Sequence, residues 1–299
     1  MKRGSIIYTV PKFVLVGCGY YMAEKVSKWV KFKKFLKRNM TPTWAKHISY
    51  QIFAFIVSVA MVIGVADYAV TKSYDERKLT FVEDFTLTAH TGAYDTPMNS
   101  VEYVQAAIDN KAAIVELDIR QRPNHTVVMS HDLVVTNNDG VELEEAFSLL
   151  KGTDIKINLD IKETRALNTM YQLLVKYDLV DNAFLTGIET MNVKAVKESD
   201  CAGMEYYLNY MPSRTKVFFD EYRTKLIELL EETGAVGINC NHKYASSQLS
   251  SLLHKKGYKL SVWTVDKERT AKKMLAIKPD NITTRNPEMI EKVIENWGK

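Results

Sequence analysis

Six residues in the middle of the chain have types suited to acid–base and metal chemistry: His90, Glu116, Asp118, His131, Asp160 and Lys162. An imidazole titrates near neutrality, so two of them can carry a proton into and out of one reaction. Glu116 and Asp118 are separated by a single residue, as are Asp160 and Lys162. In a strand that spacing sends both side chains to one face. Three carboxylates gathered there, with no arginine cluster nearby, repel one another unless a cation joins them. A donor set made only of oxygen favours one divalent cation, Mg²⁺ or Ca²⁺, over zinc.

Such residues act together only if the fold collects them. From residue 85 onward, short β-branched or apolar runs (85–90, 112–118, 154–162, 182–187, 203–208, 235–239, 258–265, 281–285) alternate with stretches of helical length. The helical stretches lie near 99–110, 142–150, 164–178, 189–199, 219–232, 246–256, 267–276 and 287–297. Eight strands alternating with eight helices predict a TIM (β/α)₈ barrel over 85–299, with a doubly wound open sheet as the competing arrangement. One run, TVVMSH at 126–131, follows the second strand too closely for a parallel crossover. A hairpin turning at Pro123-Asn124-His125 accommodates it and sets residue 118 roughly opposite residue 131. All six residues then fall at the C-terminal ends of consecutive strands, where barrels build their active sites.

The ordered motifs resemble those of the glycerophosphodiester phosphodiesterase family, which shares its barrel with phosphatidylinositol-specific phospholipases C. That family shows His-Arg-Gly, Pro-Glu-Asn-Thr, Glu-Leu-Asp, His-Asp and Glu-x-Lys in sequence. This chain has His90-Thr91-Gly92, Pro97-Met98-Asn99-Ser100, Glu116-Leu117-Asp118, His131-Asp132 and Asp160-Ile161-Lys162 in the same order, followed by VWTVD at 262–266 and TTRNP at 283–287. The resemblance implies that His90 and His131 are acid–base catalysts and that Glu116, Asp118 and Asp160 hold the metal. Lys162 would stabilise phosphoryl oxygens and Trp263 would pack the glycerol carbons. The implied nucleophile is a hydroxyl of the substrate, giving a cyclic phosphate that water opens. The departures from the pattern that matter are Thr91, which stands for an arginine that grips phosphate, Met98, which stands for a glutamate, and Asp160, which stands for a glutamate one methylene longer. Arg120, two residues past Asp118, is the candidate to replace the lost arginine. Thr91 and Met98 leave open a weakened barrel that binds glycerophosphate polymers without cleaving them; a second alternative is a phospholipase C-like enzyme that releases only a cyclic phosphate.

The N-terminal part reads differently. Residues 1–47 carry eleven Lys or Arg against one acid, Glu24, which leaves 29 basic and 35 acidic residues for 48–299. The net charge of +4 therefore belongs to the first segment. Residues 48–70 contain no Lys or Arg and one acid, Asp67, near their end. This predicts a transmembrane helix at 48–70, a basic cytoplasmic or membrane-surface segment at 1–47, a linker at 71–84, and an extracytoplasmic barrel at 85–299. Residues 5–23 are apolar but broken by Pro11 and Lys12, which suits a segment lying on the membrane. A basic stretch beside a membrane helix meets anionic lipid headgroups rather than nucleic acid. Cys18, Cys201 and Cys240 show no metal-type spacing and are expected as free thiols. No obligate protein partner is expected; the expected substrates are glycerophosphodiesters found outside a membrane.

Overall fold

The computed structural model describes residues 29–35, 37, 38, 41–76 and 78–298. The membrane-surface segment expected at 5–23, and Cys18 within it, lie outside the described residues. The chain divides into two compact units, Met1–Ala69 and Val70–Lys299.

Helix α1, Pro42–Asp75, has 34 residues, about 50 Å at 1.5 Å per residue. Its start follows from Thr41-Pro42: the Thr41 hydroxyl accepts the Trp44 N–H at 3.2 Å, and proline at the first helical position loses no bond. It is long and apolar enough to cross a membrane, and its apolar stretch buries none of itself in the protein. Phe53, Phe55, Ile56, Val62 and Ile63 all stand exposed along it.

The second unit is a closed barrel, as the alternation of runs predicts; the open-sheet alternative is overturned because the first ring strand pairs with both the second and the last. Eight parallel strands form the ring: β1 (Thr86–Ala89), β2 (Ile114–Gln121), β5 (Lys156–Ile161), β6 (Ala183–Ile188), β7 (Tyr206–Asn209), β8 (Gly237–Asn241), β9 (Lys259–Trp263) and β10 (Asn281–Thr284). Strand β10 pairs with β1 and so closes the ring. Helices α2 (Val101–Asp109), α3 (Leu143–Leu150), α4 (Leu167–Tyr177), α5 (Val193–Lys197), α6 (Asp220–Thr233), α7 (Ser247–Lys255), α8 (Glu268–Ile277) and α9 (Pro287–Glu295) follow the ring strands in turn.

Two short antiparallel strands are added at the mouth. Strand β3 (Val127–Met129) returns along β2, and β4 (Val141–Glu142) pairs with β3. The hairpin expected after β2 therefore exists, but its register differs by one residue. Ile119 faces Met129 and Arg120 faces Val128, which sets residue 118 opposite residue 130 rather than 131. The Ser130 N–H donates to Asp118 O at 2.9 Å accordingly.

Alternation along the strands separates core from lumen. In β2, Val115, Leu117 and Ile119 are fully buried in the apolar core beneath the helices, while Glu116 and Asp118 turn to the barrel axis. In β5, Ile157, Leu159 and Ile161 do the same, leaving Asn158 and Asp160 inside. Parallel strands usually read as continuous apolar runs, and barrel interiors are usually filled by branched aliphatics. This lumen is polar instead. Thr88 Oγ1 donates to Asn281 Oδ1 at 2.9 Å, Asn281 Nδ2 donates to Ser261 Oγ at 3.0 Å, and Thr186 Oγ1 donates to Asn158 Oδ1 at 2.7 Å. These bonds satisfy the buried polar groups across neighbouring strands, so the interior tolerates charge at its mouth.

Candidate active site

The C-terminal ends of the strands open into a cavity of about 560 Å³ lined by His90, Glu116, His131, Asp160, Lys162 and Arg285, among others. Strand β1 ends at Ala89 because His90 leaves the ladder after one last bond, its N–H donating to Thr284 O at 2.7 Å. The buried Tyr103 side chain on α2 then fills the gap where β1 and β2 part. Its hydroxyl donates to Ala89 O at 2.5 Å and accepts the Glu116 N–H at 3.2 Å. One phenol thus spaces the residue before His90 from Glu116.

The His90 ring is held by its own neighbour. Nδ1 lies 3.0 Å from Thr91 O, and a carbonyl oxygen only accepts, so Nδ1 carries the hydrogen and Nε2 keeps its lone pair. Glu116 Oε2 lies 3.8 Å from the same nitrogen. Burial lowers the His90 pKa below its ordinary 6.5; the Thr91 carbonyl opposes this, and the Arg285 charge adds to the lowering. The group is neutral at pH 7.

The three carboxylates meet as the alternation predicts. Asp118 and Asp160 are register partners on β2 and β5, and Glu116 sits one inward position below Asp118. One oxygen from each of Glu116, Asp118 and Asp160 lies within 4.8 Å of the others. Glu116 accepts the Thr91 N–H at 3.0 Å. Asp118 accepts Asn99 Nδ2 at 2.9 Å. Lys162 Nζ bridges Asp118 Oδ1 at 2.8 Å and Asp160 Oδ2 at 2.6 Å. Gly187 is required beside them: its φ is +74°, and a Cβ there would run into Asp160 Oδ1 and the Ile161 backbone.

The charges of this cluster do not balance. Burial first, then repulsion from Asp118 and Asp160, holds the Glu116 pKa well above the usual carboxylate range. Burial also disfavours charged Asp118, but Lys162 and the Asn99 hydrogen bond outweigh it and the Asp118 pKa falls. Lys162 is likewise opposed by burial, yet Asp160 and Asp118 raise its pKa. One ammonium therefore bridges two carboxylates, and its pull on Glu116, with that of the Thr91 N–H, is outweighed by burial and repulsion. The residues fit a hard divalent cation: three oxygen donors are close together, and the penalty on Glu116 is one that a cation would relieve.

No family profile matches the chain. A relative from Caldanaerobacter subterraneus subsp. tengcongensis, a glycerophosphodiester phosphodiesterase, is 24% identical over 238 residues, which cover 70% of this chain and 98% of the relative. The crystal structure of a glycerophosphodiester phosphodiesterase from Parabacteroides distasonis superposes with a TM-score of 0.59 at 19% identity, over 73% of this chain and 99% of that one. The Oleispira antarctica phosphodiesterase in complex with the product sn-glycerol-3-phosphate gives 0.58 at 18% identity, over 71% and 97%. The chain is similar to glycerophosphodiester phosphodiesterases in sequence and in fold.

The fold brings six of the eight sequence-selected residues to the cavity wall: His90, Glu116, His131, Asp160, Lys162 and Trp263. Trp263 stands at the end of β9, and its Nε1 is buried without a hydrogen-bond partner among the described residues. Asp118 lies beneath the wall, covered by Lys162 and Asn99. His131 is 61% exposed at the rim, its Nδ1 3.4 Å from Asp132 Oδ1. Arg120 is not brought to the cavity. Its Nε and Nη2 donate to His131 O at 3.2 and 3.0 Å, so it fastens the loop that carries His131. Thr91 is fully buried and its hydroxyl accepts the Asn99 N–H at 2.5 Å. Sequence reasoning missed Asn99 and Arg285. Arg285 had a positional signal, since it follows β10 as His90 follows β1.

Proposed function

We propose that the barrel hydrolyses glycerophosphodiesters outside a membrane to which α1 anchors it. The observation that carries this reading is His90, its Nδ1 held by Thr91 O and its Nε2 free, beside a three-carboxylate cluster in one cavity. The likeness to glycerophosphodiester phosphodiesterases supports the substrate class. Glu116, Asp118 and Asp160 would hold one divalent cation, Mg²⁺ or Ca²⁺. When bound, such a cation supplies positive charge for phosphoryl oxygens and acidity for a nearby hydroxyl.

The chain's own residues then divide the proton work. His90 Nε2 removes the proton from the substrate hydroxyl adjacent to the phosphate, whose oxygen forms the new bond to phosphorus. His131, protonated, gives its proton to the alcohol oxygen as the bond from phosphorus to that oxygen breaks. Both histidines then stand in reversed states, so water adds to the cyclic phosphate with His131 as base and His90 as acid. Lys162 holds Asp118 and Asp160 at a fixed spacing and places positive charge at the cavity wall. Trp263 Nε1 and Asn239 Oδ1, a donor and an acceptor on adjacent strands with no partner among the described residues, suit the hydroxyls of a polyol.

The length, uncharged stretch and exposure of α1 support a membrane span, and the basic excess before it supports a cytoplasmic N-terminal side. The full chain in detergent, incubated with glycerophosphocholine and Mg²⁺ or Ca²⁺, is expected to release glycerol phosphate and choline, with chelator stopping the release. Tight binding without turnover across a panel of glycerophosphodiesters would instead make this a binding barrel. Accumulation of the cyclic phosphate as end product would make it phospholipase C-like.

A further inference from the structure

Two lysine or arginine side chains line the cavity, Lys162 and Arg285. Lys162 is committed, with its ammonium 2.8 Å from Asp118 and 2.6 Å from Asp160. A phosphodiester anion entering beside three carboxylates needs a further positive partner with donors left to give: Arg285 shares one carboxylate, Asp266, through a single guanidinium nitrogen, whereas Lys162 is held between two. Arg285 is placed and oriented for that task.

The residue follows β10 directly, and its backbone N–H donates to Asp266 Oδ1 at 2.8 Å. Its Nη1 lies 3.1 Å from Asp266 Oδ2, so one carboxylate in the loop after β9 grips the arginine at both ends. Thr284 Oγ1 also donates to Asp266 Oδ1, at 3.3 Å, which steadies the carboxylate in turn. These bonds anchor the guanidinium through Nη1, and among the described residues Nε and Nη2 have no hydrogen-bond partner. The site is also next to the catalytic candidate: Ala89 pairs with Thr284, the His90 N–H bonds Thr284 O, and the Arg285 charge reaches the His90 ring.

We propose that Arg285, positioned by Asp266, is the cation that binds the non-bridging phosphoryl oxygens of the substrate. The inference rests on the phosphodiesterase reading, which it deepens by naming the group that receives the anion. A planar guanidinium suits two oxygens of one phosphoryl group, a match that an ammonium in the same place lacks. Asp266 acts through the arginine and is a positioning residue.

The test uses the full chain in detergent with two readouts: steady-state turnover of glycerophosphocholine, and calorimetric titration with inorganic phosphate in the presence of Mg²⁺. Arg285→Ala is expected to lower kcat/KM by about 10²-fold, within the range for losing one preorganised donor group. It should weaken phosphate binding by at least tenfold and leave Mg²⁺ affinity unchanged. Arg285→Lys should recover part of the phosphate affinity but little of kcat/KM. Asp266→Asn should raise KM more than it lowers kcat, and its effect should vanish in the Arg285→Ala background. Thermal melting of each variant separates misfolding from a local loss, and Arg285→Gln, which keeps a donor for Asp266, serves if the alanine variant does not fold. Wild-type phosphate affinity and kcat/KM in folded Arg285→Ala or Arg285→Gln would overturn the inference. Phosphate binding without turnover in the wild type would overturn the phosphodiesterase reading while the titrations still judge Arg285. A wild type that binds no phosphate would overturn both.

Discussion

Asn99 and Asp118 bond each other twice, Asn99 Nδ2 to Asp118 Oδ2 at 2.9 Å and the Asp118 N–H to Asn99 Oδ1 at 3.3 Å. One amide side chain from the loop after β1 thereby fixes both the backbone and the carboxylate of a residue on β2. Asparagine suits the position for a second reason. Its φ is +52°, a left-handed conformation that asparagine adopts more readily than most residues.

Asn99→Gly should therefore separate the bonds from the strain, since glycine accepts the backbone conformation and offers no amide. Stability should fall by about 1–3 kcal/mol, the range for leaving a buried partner unmade. Divalent-cation affinity should fall by about 10–100-fold, as for other groups that orient a metal ligand. Thermal melting and calorimetric titration with Mg²⁺ check both. Unchanged cation affinity would remove Asn99 from the support of the site.

Glu116 gives a pH dependence with a definite sign. Its folded-state pKa is raised above the ordinary 4.5, so the folded protein without cation holds a proton that the unfolded chain has released. The stability from this group is present below about pH 4.5 and is lost as pH climbs through the raised pKa. A cation binds the deprotonated form, so the rise in Tm on adding Mg²⁺ should grow with pH across that window. Glu116→Gln should flatten the slope without cation and abolish most of the Mg²⁺ effect. Parallel Tm profiles for the wild type and Glu116→Gln in chelator would contradict the assignment.

The alternation in IVELDIRQ and KINLDI was enough to put Glu116 with Asp118, and Asp160 with Lys162, on one face of each strand, because the strand period is a local consequence of sequence. Arg120 shows where that reasoning stops. It lies on the same strand face by count, but the hairpin beyond it pairs one residue out of the expected register and the guanidinium turns to the His131 carbonyl. Asn99 was legible as a member of the Pro97–Ser100 motif but with no role attached to it. The helix cap is Ser100, whose hydroxyl accepts the Tyr103 N–H at 3.0 Å, and that frees Asn99 for a partner nineteen residues away. Arg285 joins His90 only because the last strand pairs with the first, a contact between residues at opposite ends of the barrel sequence.

The proposed orientation predicts a labelling pattern. A cysteine at Ser73, past the apolar stretch of α1, should react with a membrane-impermeant thiol reagent in intact cells, whereas one at Lys37 should react only after lysis. The reverse pattern would put the barrel in the cytoplasm and exclude substrates found outside the membrane.

The division of proton work between the two histidines is the most direct test of the proposed chemistry. His90→Ala and His131→Ala should each lower turnover by about 10²-fold or more, as for a positioned base or acid. The double variant should be only slightly worse than either single one, because groups acting as one unit are strongly non-additive. The proposed reading gives the first proton abstraction to His90, whose Nδ1 is engaged by Thr91 O and whose Nε2 is free. A glycerophosphodiester whose alcohol is p-nitrophenol leaves without help from an acid, so this substrate should largely rescue the first step in His131→Ala and leave His90→Ala deficient. Rescue of His90→Ala instead would exchange the two roles. Near-normal turnover of glycerophosphocholine in both single variants, with cation affinity intact, would reduce His90 to the residue that ends β1 and remove the two-histidine mechanism.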